Sequence, residues 1–230
     1  MRTLKPQPSL AEQVYEAIVD EICNGALPAG AHLIQEQLAE TLGVSRQPVQ
    51  QAMALLKADG MVQETGRRGL WVAPLDPGLM RHHYDIRAVL DGFAARTAAA
   101  RINAKPRLGA AFSNSAGRIL EQGQAAVEAG DVAGQVHHDM ALHALIYEMS
   151  GNPLLARTAE PHWRFLRRAM GEVLRRATLP GEIWRQHAEI VDAIASGDKE
   201  LAEELMVAHD LGAAATLRDA LEMPAVATGT

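Results

Sequence analysis

Gly43-Val44-Ser45-Arg46-Gln47-Pro48-Val49-Gln50-Gln51-Ala52-Met53 is the stretch that decides what this chain folds into. A short amphipathic run, Glu36 to Leu42, precedes it. Gly43 tolerates the left-handed backbone that ends a helix. Ser45 is placed to cap the next helix, and Pro48 falls in that helix's first turn, where its missing N–H costs nothing. Val49, Met53 and Leu56 recur at helical spacing and predict a buried face. The opposite face carries Arg46, Gln47, Gln50 and Gln51. Helix, tight turn and a second helix opening on long hydrogen-bonding side chains is the pattern of a helix-turn-helix major-groove reader. Gln pairs bidentately with adenine, and Arg with guanine or phosphate. An ordinary helical corner with solvated side chains shares the pattern, so the flanking sequence has to decide.

Upstream, Leu10, Val14, Ile18 and Ile22 form one stripe of a helix, followed by Gly25-Ala26-Leu27-Pro28-Ala29-Gly30. Downstream, Gly60 ends the reading helix. Met61-Val62-Gln63-Glu64 and Leu70-Trp71-Val72-Ala73 predict two short strands around Thr65-Gly66-Arg67-Arg68-Gly69. That is a hairpin wing whose tip offers Arg67 and Arg68 to phosphate or the minor groove. Leu27-Pro28-Ala29-Gly30, Gly43-Val44-Ser45-Arg46, Pro48-Val49 and Arg68-Gly69 together resemble the winged helix of GntR-family bacterial transcription regulators, over about residues 9 to 75. The resemblance implies DNA contact through Ser45, Arg46, Gln47, Gln50, Gln51, Arg67 and Arg68. The chain departs from it at Gln50, where the family usually carries Arg, and at Glu36, where many members do. Both departures bear on DNA contact and not on the fold.

The 230 residues suffice for one large or two modest domains. The net charge of −6 and pI near 5.8 argue against a nucleic-acid partner when taken over the whole chain. Arg46, Arg67 and Arg68 gathered on one surface, and doubled in a dimer, outweigh that balance. The expected cost is modest, salt-sensitive affinity. One cysteine, Cys23, excludes an internal disulfide and fits a reducing cytoplasm, where it reads as a small buried hydrophobe. The N-terminus lacks a signal-peptide core, and no apolar run reaches spanning length, so a cytoplasmic protein with no membrane partner is expected.

Pro74-Leu75-Asp76-Pro77-Gly78 reads as a linker. From Leu79 onward there is no strand pattern. Breaks near Asn103–Pro106, Gly130-Asp131, Gly151-Asn152-Pro153, Leu179-Pro180-Gly181 and Gly197-Asp198 divide the remainder into about six helices, with Asp131, Asn152 and Asp198 as N-caps. The expectation is a mainly α protein: a winged helix-turn-helix at 1–75, a linker at 76–78, an all-α bundle-like effector domain at 79–223 and a tail at 224–230. In the first of the six helices Arg87 lies among apolar residues. It is either salt-bridged to Asp91 one turn on or facing a cavity to grip a carboxylate.

Asp139 and His143, four apart, project from one face of a helix. His187 and His209 lie about equally far on either side of the Gly197-Asp198 turn. In an antiparallel hairpin such residues meet at one level, about 16 Å from the turn at the helical rise. The neighbours Leu142, Ile146, Ile190, Ile194, Leu205 and Met206 make this the inner face. Three neutral imidazoles and one carboxylate suit a divalent transition metal: zinc, nickel, iron(II) or manganese. His82, His83, His137, His138 and His162 read as surface or supporting residues.

The resemblance extends here. Asp139-Met140-Ala141-Leu142-His143, Gly151-Asn152-Pro153-Leu154, Gln186-His187-Ala188-Glu189-Ile190, Gly197-Asp198 and Ala208-His209 are similar to the all-helical FCD effector domain of the FadR subfamily. It implies that Asp139, His143, His187 and His209 bind the metal, that a small organic acid binds beside it, and that Arg87 faces that ligand. Leu142 stands where Phe is common. The resulting expectation is a homodimeric DNA-binding regulator, most such proteins being repressors, that reads a palindromic operator under control of a small carboxylate. The alternatives are a sensor in which the metal itself is the signal, and a metal-dependent helical enzyme. The enzyme lacks support, because Glu189 points away from His187 and no other general base stands out.

Overall fold

The computed structural model of the chain describes residues 8–64, 69–176 and 182–222. It forms two compact units, Met1–Leu75 and Asp76–Thr230. In the first, Ser9 opens α1 (Leu10–Asn24): the Ser9 hydroxyl accepts from the Glu12 amide, and the Glu12 carboxylate accepts from the Ser9 amide. After β1 (His32–Leu33) come α2 (Gln35–Thr41) and α3 (Arg46–Ala58). Gly43, with φ of 65°, lets the chain reverse between them at no steric cost. Val14, Ile18 and Ile22 of α1 close on Val49, Met53 and Leu56 of α3. The Tyr15 hydroxyl donates to Asp59 just past α3, tying the two helices at that end. Ser45 occupies the N-cap position of α3, but its side chain makes no capping bond, contrary to the sequence expectation. Its hydroxyl is exposed on the side where the reading residues begin.

β2 (Val62–Glu64) and β3 (Leu70–Val72) pair antiparallel, and β1 joins the other edge of β3. β1 is two residues long, too short to display an alternation, and was not anticipated from sequence. His32 stacks on Trp71 across that edge with ring centroids 4.4 Å apart. The wing tip, including Arg67 and Arg68, lies outside the described residues, as do the expected break at Leu179–Gly181 and the tail at 224–230.

The second unit comprises α4 (Pro77–Ala104), α5 (Arg107–Glu128), α6 (Val132–Ser150), α7 (Leu155–Arg176), α8 (Glu182–Ser196) and α9 (Lys199–Glu222), with no strand among the described residues. Asp76 caps α4 by accepting from the Gly78 and Leu79 amides. The expected linker at 76–78 is therefore helical from Pro77. Asp131 and Asp198 cap α6 and α9. Asn152 does not cap α7; it accepts from the Leu154 amide in the turn that precedes the helix. α4 is the central helix and touches α6, α7, α8 and α9. Ala94, Ala95, Ala98 and Ala99 are fully buried along it, so neighbouring backbones approach closely. At Gly92 a Cβ would come within 2.7 Å of Val207 Cγ2 on α9.

Gly123 on α5 has the same role against α8, where a Cβ would sit 1.9 Å from the Trp184 ring. A large buried indole cannot yield as a flexible chain end does. Gly123→Ala is expected to destabilise the protein by about 1–3 kcal/mol through overpacking, read as a lower urea midpoint at unchanged slope. An unchanged midpoint would mean that Trp184 swings aside freely.

Two histidines expected at the surface or in a supporting role form a contact between helices. His83 Nδ1 on α4 and His162 Nδ1 on α7 are 3.0 Å apart, one donating to the other, and His83 stacks on Phe165. Burial, with His162 and His82 adding to it, brings His83 down to about 4. Because the folded value lies below that of the unfolded chain, the contribution is fully present above about pH 6.5 and is lost as pH falls through about 4. His83→Gln is expected to show a shallower loss of stability between those pH values than wild type in urea titrations. Parallel curves would show that the pair does not couple to acid unfolding.

Candidate metal centre and nucleic-acid surface

α6 presents Asp139 and His143 one turn apart, α8 presents His187, and α9 presents His209. One donor atom from each falls within 4.8 Å of all the others. His187 Nε2 lies 3.1 Å from His209 Nε2 and 3.3 Å from Asp139 Oδ1. His143, His187 and His209 are at most 5% exposed. The hairpin of α8 and α9 brings the two distant imidazoles to one level.

The surroundings bear on which ring nitrogens can bind. His209 Nδ1–H donates to Gln186 Oε1 at 3.0 Å, which leaves the Nε2 lone pair directed inward. His143 Nδ1 is 3.0 Å from Asp91 Oδ2, and Arg87 Nη2 lies 3.2 Å from Nδ1 and 3.3 Å from Nε2 of the same ring. His187 Nδ1 is buried without a hydrogen-bond partner. Burial pushes the His187 imidazole well below its ordinary range, with His209 and His143 adding to the shift, and brings His209 down to about 3. Both rings are therefore neutral at pH 7, the form that ligates a metal. Burial also raises the Asp139 carboxyl, against the opposing pull of His143 and Arg87.

Arg87 is salt-bridged to Asp91, as one sequence reading expects, and it also lines a cavity. Its Nε and Nη2 donate to Asp91 Oδ2 at 3.0 and 2.8 Å, and its guanidinium lies 3.7 Å over the Trp163 ring. Nη2 also lies 3.0 Å from Asp210 Oδ1 and 3.3 Å from His143 Nε2. None of these contacts uses Nη1, and Arg87 lines a cavity of about 60 Å³ together with Asp139 and His209. Burial raises the Asp91 carboxyl, but the adjacent guanidinium outweighs it and holds the group below the usual carboxylate range. Tyr147 donates to the other Asp91 oxygen, and the Trp163 indole donates to Tyr147.

Asp210, next to His209, is fully buried. Its contact with Arg87 is one of charge rather than an aligned hydrogen bond, since neither carboxylate oxygen has a hydrogen-bond partner. Burial lifts its carboxyl to about 7, partly offset by Arg87. When ionised, the carboxylates of Asp91, Asp139 and Asp210 leave the cluster two negative charges in excess over Arg87. Three imidazole nitrogens, one carboxylate and that excess of negative charge fit a divalent transition metal.

In the first unit, Ser45, Arg46, Gln47, Gln50 and Gln51 are exposed together on the α3 side opposite its core residues. Arg46 makes a 2.9 Å ion pair with Glu36 on α2, both side chains about two-thirds exposed. The acid at position 36 thus sits directly beside the leading cation of the reading face.

Residues 82–211 match the FCD domain, and residues 10–72 match the bacterial regulatory proteins of the gntR family. The chain belongs to the gntR family, with an FCD domain. It is a transcriptional regulator. The regulator is 28% identical over 204 residues to the probable D-xylose utilization operon transcriptional repressor of Paenarthrobacter nicotinovorans, covering 87% of this chain and 85% of that protein. It is 24% identical over 206 residues to the HTH-type transcriptional repressor RspR of Escherichia coli, covering 90% and 88%. Among solved structures, E. coli McbR/YncC superposes with a TM-score of 0.77 at 24% identity, over 94% of this chain and all of that one, and so shares the fold.

Around the regulator's site, Gln186, Tyr147, Trp163 and Asp210 were given no role from sequence. Gln186 and Asp210 each adjoin a ligand candidate in the chain, the one signal that pointed to them. Tyr147 and Trp163 follow Asp139 and His143 along the chain but reach Asp91 only through the packing of α4, α6 and α7.

Proposed function

We propose that this regulator is a homodimeric repressor whose operator affinity is set by a small carboxylate bound beside a divalent transition metal. Asp139, His143, His187 and His209 would hold the metal, which would supply Lewis acidity to the bound acid. Arg87, through Nη1, would donate to the carboxylate. The observation that carries this reading is the convergence of four donor atoms, two of whose residues, Asp139 and His209, line a cavity that Arg87 also lines. α4 carries Arg87 and directly follows the winged unit in the chain, so an effector that biases α4 biases the DNA-binding unit. Ser45, Arg46, Gln47, Gln50 and Gln51 on α3, with Arg67 and Arg68 on the wing, read one half-site of a palindrome in cytoplasmic DNA. Two relatives named as repressors support the sign. Among the described residues no helix is long and apolar enough to cross a membrane.

The dimer face is expected on α4, where Ile86, Val89 and Phe93 are 46%, 70% and 46% exposed along one stripe. Val89→Glu is expected to yield monomers in sedimentation at concentrations where wild type is dimeric; an unchanged dimer would move the interface elsewhere.

The deciding experiment titrates metal-loaded protein, bound to a fluorescent operator duplex, with carboxylic acids. Release by an acid only when metal is present supports the reading. Release by the metal alone would make the metal the signal, and indifference to both would remove effector control from this site.

A further inference from the structure

We propose that His83 on α4 and His162 on α7 form a second metal site, which takes one nickel(II) or copper(II) ion with water in its remaining positions. The site is separate from the four-residue centre and independent of the effector reading.

The geometry of the two rings carries it. His83 Nδ1 and His162 Nδ1 lie 3.0 Å apart. An imidazole nitrogen sits about 2.0–2.1 Å from a divalent ion that it ligates. Two such nitrogens are then about 2.8–3.0 Å apart at a right angle, and about 3.3–3.4 Å apart at the tetrahedral angle. The observed separation is that of neighbouring ligands on a square or tetragonal ion, the geometry of copper(II) and nickel(II). A hydrogen bond between the rings spans the same distance, and the two states interconvert simply. The donating ring moves its proton from Nδ1 to Nε2, and its Nδ1 lone pair becomes free with no change of charge.

The rings are held in place for this. His83 stacks on Phe165 with centroids 4.3 Å apart and planes 14° apart, and it meets His162 edge-on at 5.2 Å. The two donors come from packed helices, which fix them better than a loop would. Both residues are half-buried, so packing holds the rings while water still reaches the pair. Burial also favours the neutral form of both rings, the form that binds a metal. Two protein donors make this a weaker site than the four-residue centre. Its position gives it a consequence. His83 precedes Arg87 by one turn of α4, and His162 adjoins Trp163, over whose ring the Arg87 guanidinium lies. An ion between the histidines would pin the seam of α4 and α7 on which Arg87 is seated.

The test is equilibrium dialysis of the full-length protein against nickel in a non-chelating buffer, with elemental analysis of the bound ion. Wild type is expected to hold two nickel ions per chain, one more weakly than the other. His83→Gln and His162→Gln are each expected to lose the weaker equivalent and keep the tighter one. His82→Gln and His137→Gln, which remove exposed histidines, are expected to keep both. Circular dichroism checks the fold of each variant. A second measurement needs no substitution: nickel is expected to protect His83 and His162 of wild type, and not His82, from acylation by diethyl pyrocarbonate. If His83→Gln and His162→Gln bind as much nickel as wild type, if only one of them loses an equivalent, or if nickel leaves both histidines equally reactive, the inference is overturned. If the tighter equivalent is missing throughout while both variants lose the weaker one, the four-residue centre fails and this site stands.

Discussion

Chelator treatment of the metal-loaded regulator is expected to lower its melting temperature by about 8–16 °C. The size follows from linkage. A metal bound only by the folded state stabilises it by about 4 kcal/mol at a thousandfold excess over its dissociation constant, and a chain of this length shifts by about 2–4 °C per kcal/mol. The four donors come from α6, α8 and α9, so the unfolded chain holds no comparable site. His187→Ala and His209→Ala are each expected to lose bound metal and most of this response, and Asp139→Ala likewise. His137→Ala, whose ring contacts only the His138 ring among the aromatic groups, is expected to retain both. Burial makes a simple stability loss in the histidine variants uninformative by itself. The decisive comparison is chelator on wild type against chelator on each variant. Equal melting curves of wild type before and after chelation, with less than about a tenth of an equivalent of metal after reconstitution, would leave three buried histidines with a purely structural role.

Arg46→Ala is expected to weaken specific operator binding by between about 30-fold and 10⁴-fold. A bidentate base contact is worth about 1–3 kcal/mol, and a dimer on a palindrome loses two. Arg46 is exposed at the first position of α3, so its removal should leave thermal stability nearly unchanged. Its ion pair with Glu36 is exposed and contributes at most about 1 kcal/mol to folding. That pair makes a second comparison useful. Glu36→Ala frees Arg46 and removes an acid from the reading face, and is expected to tighten operator binding by up to about fivefold. A gel-shift at matched salt measures both. Binding of Arg46→Ala within about threefold of wild type would move the reading face away from α3.

The sequence was most legible where spacing alone carries geometry. The α2–α3 corner follows from Gly43, Ser45, Pro48 and the Val49, Met53, Leu56 stripe. The meeting of His187 with His209 follows from their equal distance from the turn at Gly197. Contacts that depend on several helices packing together could not be read. Nothing in the local sequence places Asp210 against Arg87, since that pairing needs α4 and α9 in register, and their register is set by small residues spread over both helices. β1 was missed because two residues carry no periodicity. The Ser45 cap failed because N-cap position and N-cap bonding are separate properties, and only the first shows in sequence.

The small-residue seam between α4 and α9 also bears on how such a protein diversifies. Val207, the side chain that a Cβ at Gly92 would strike, lies two residues before His209. A side chain at position 92 must therefore displace Val207, by turning that side chain or by shifting α9 where it carries the candidate ligand His209 and Asp210. On the function proposed above, a lineage of duplicated copies could retune metal grip and signal preference by single-methyl changes at a position outside both proposed sites. Exchanging side chains among paralogues only at the ligand-facing positions would then fail to transplant their specificities, whereas transplanting α4 and α9 as a matched pair would succeed.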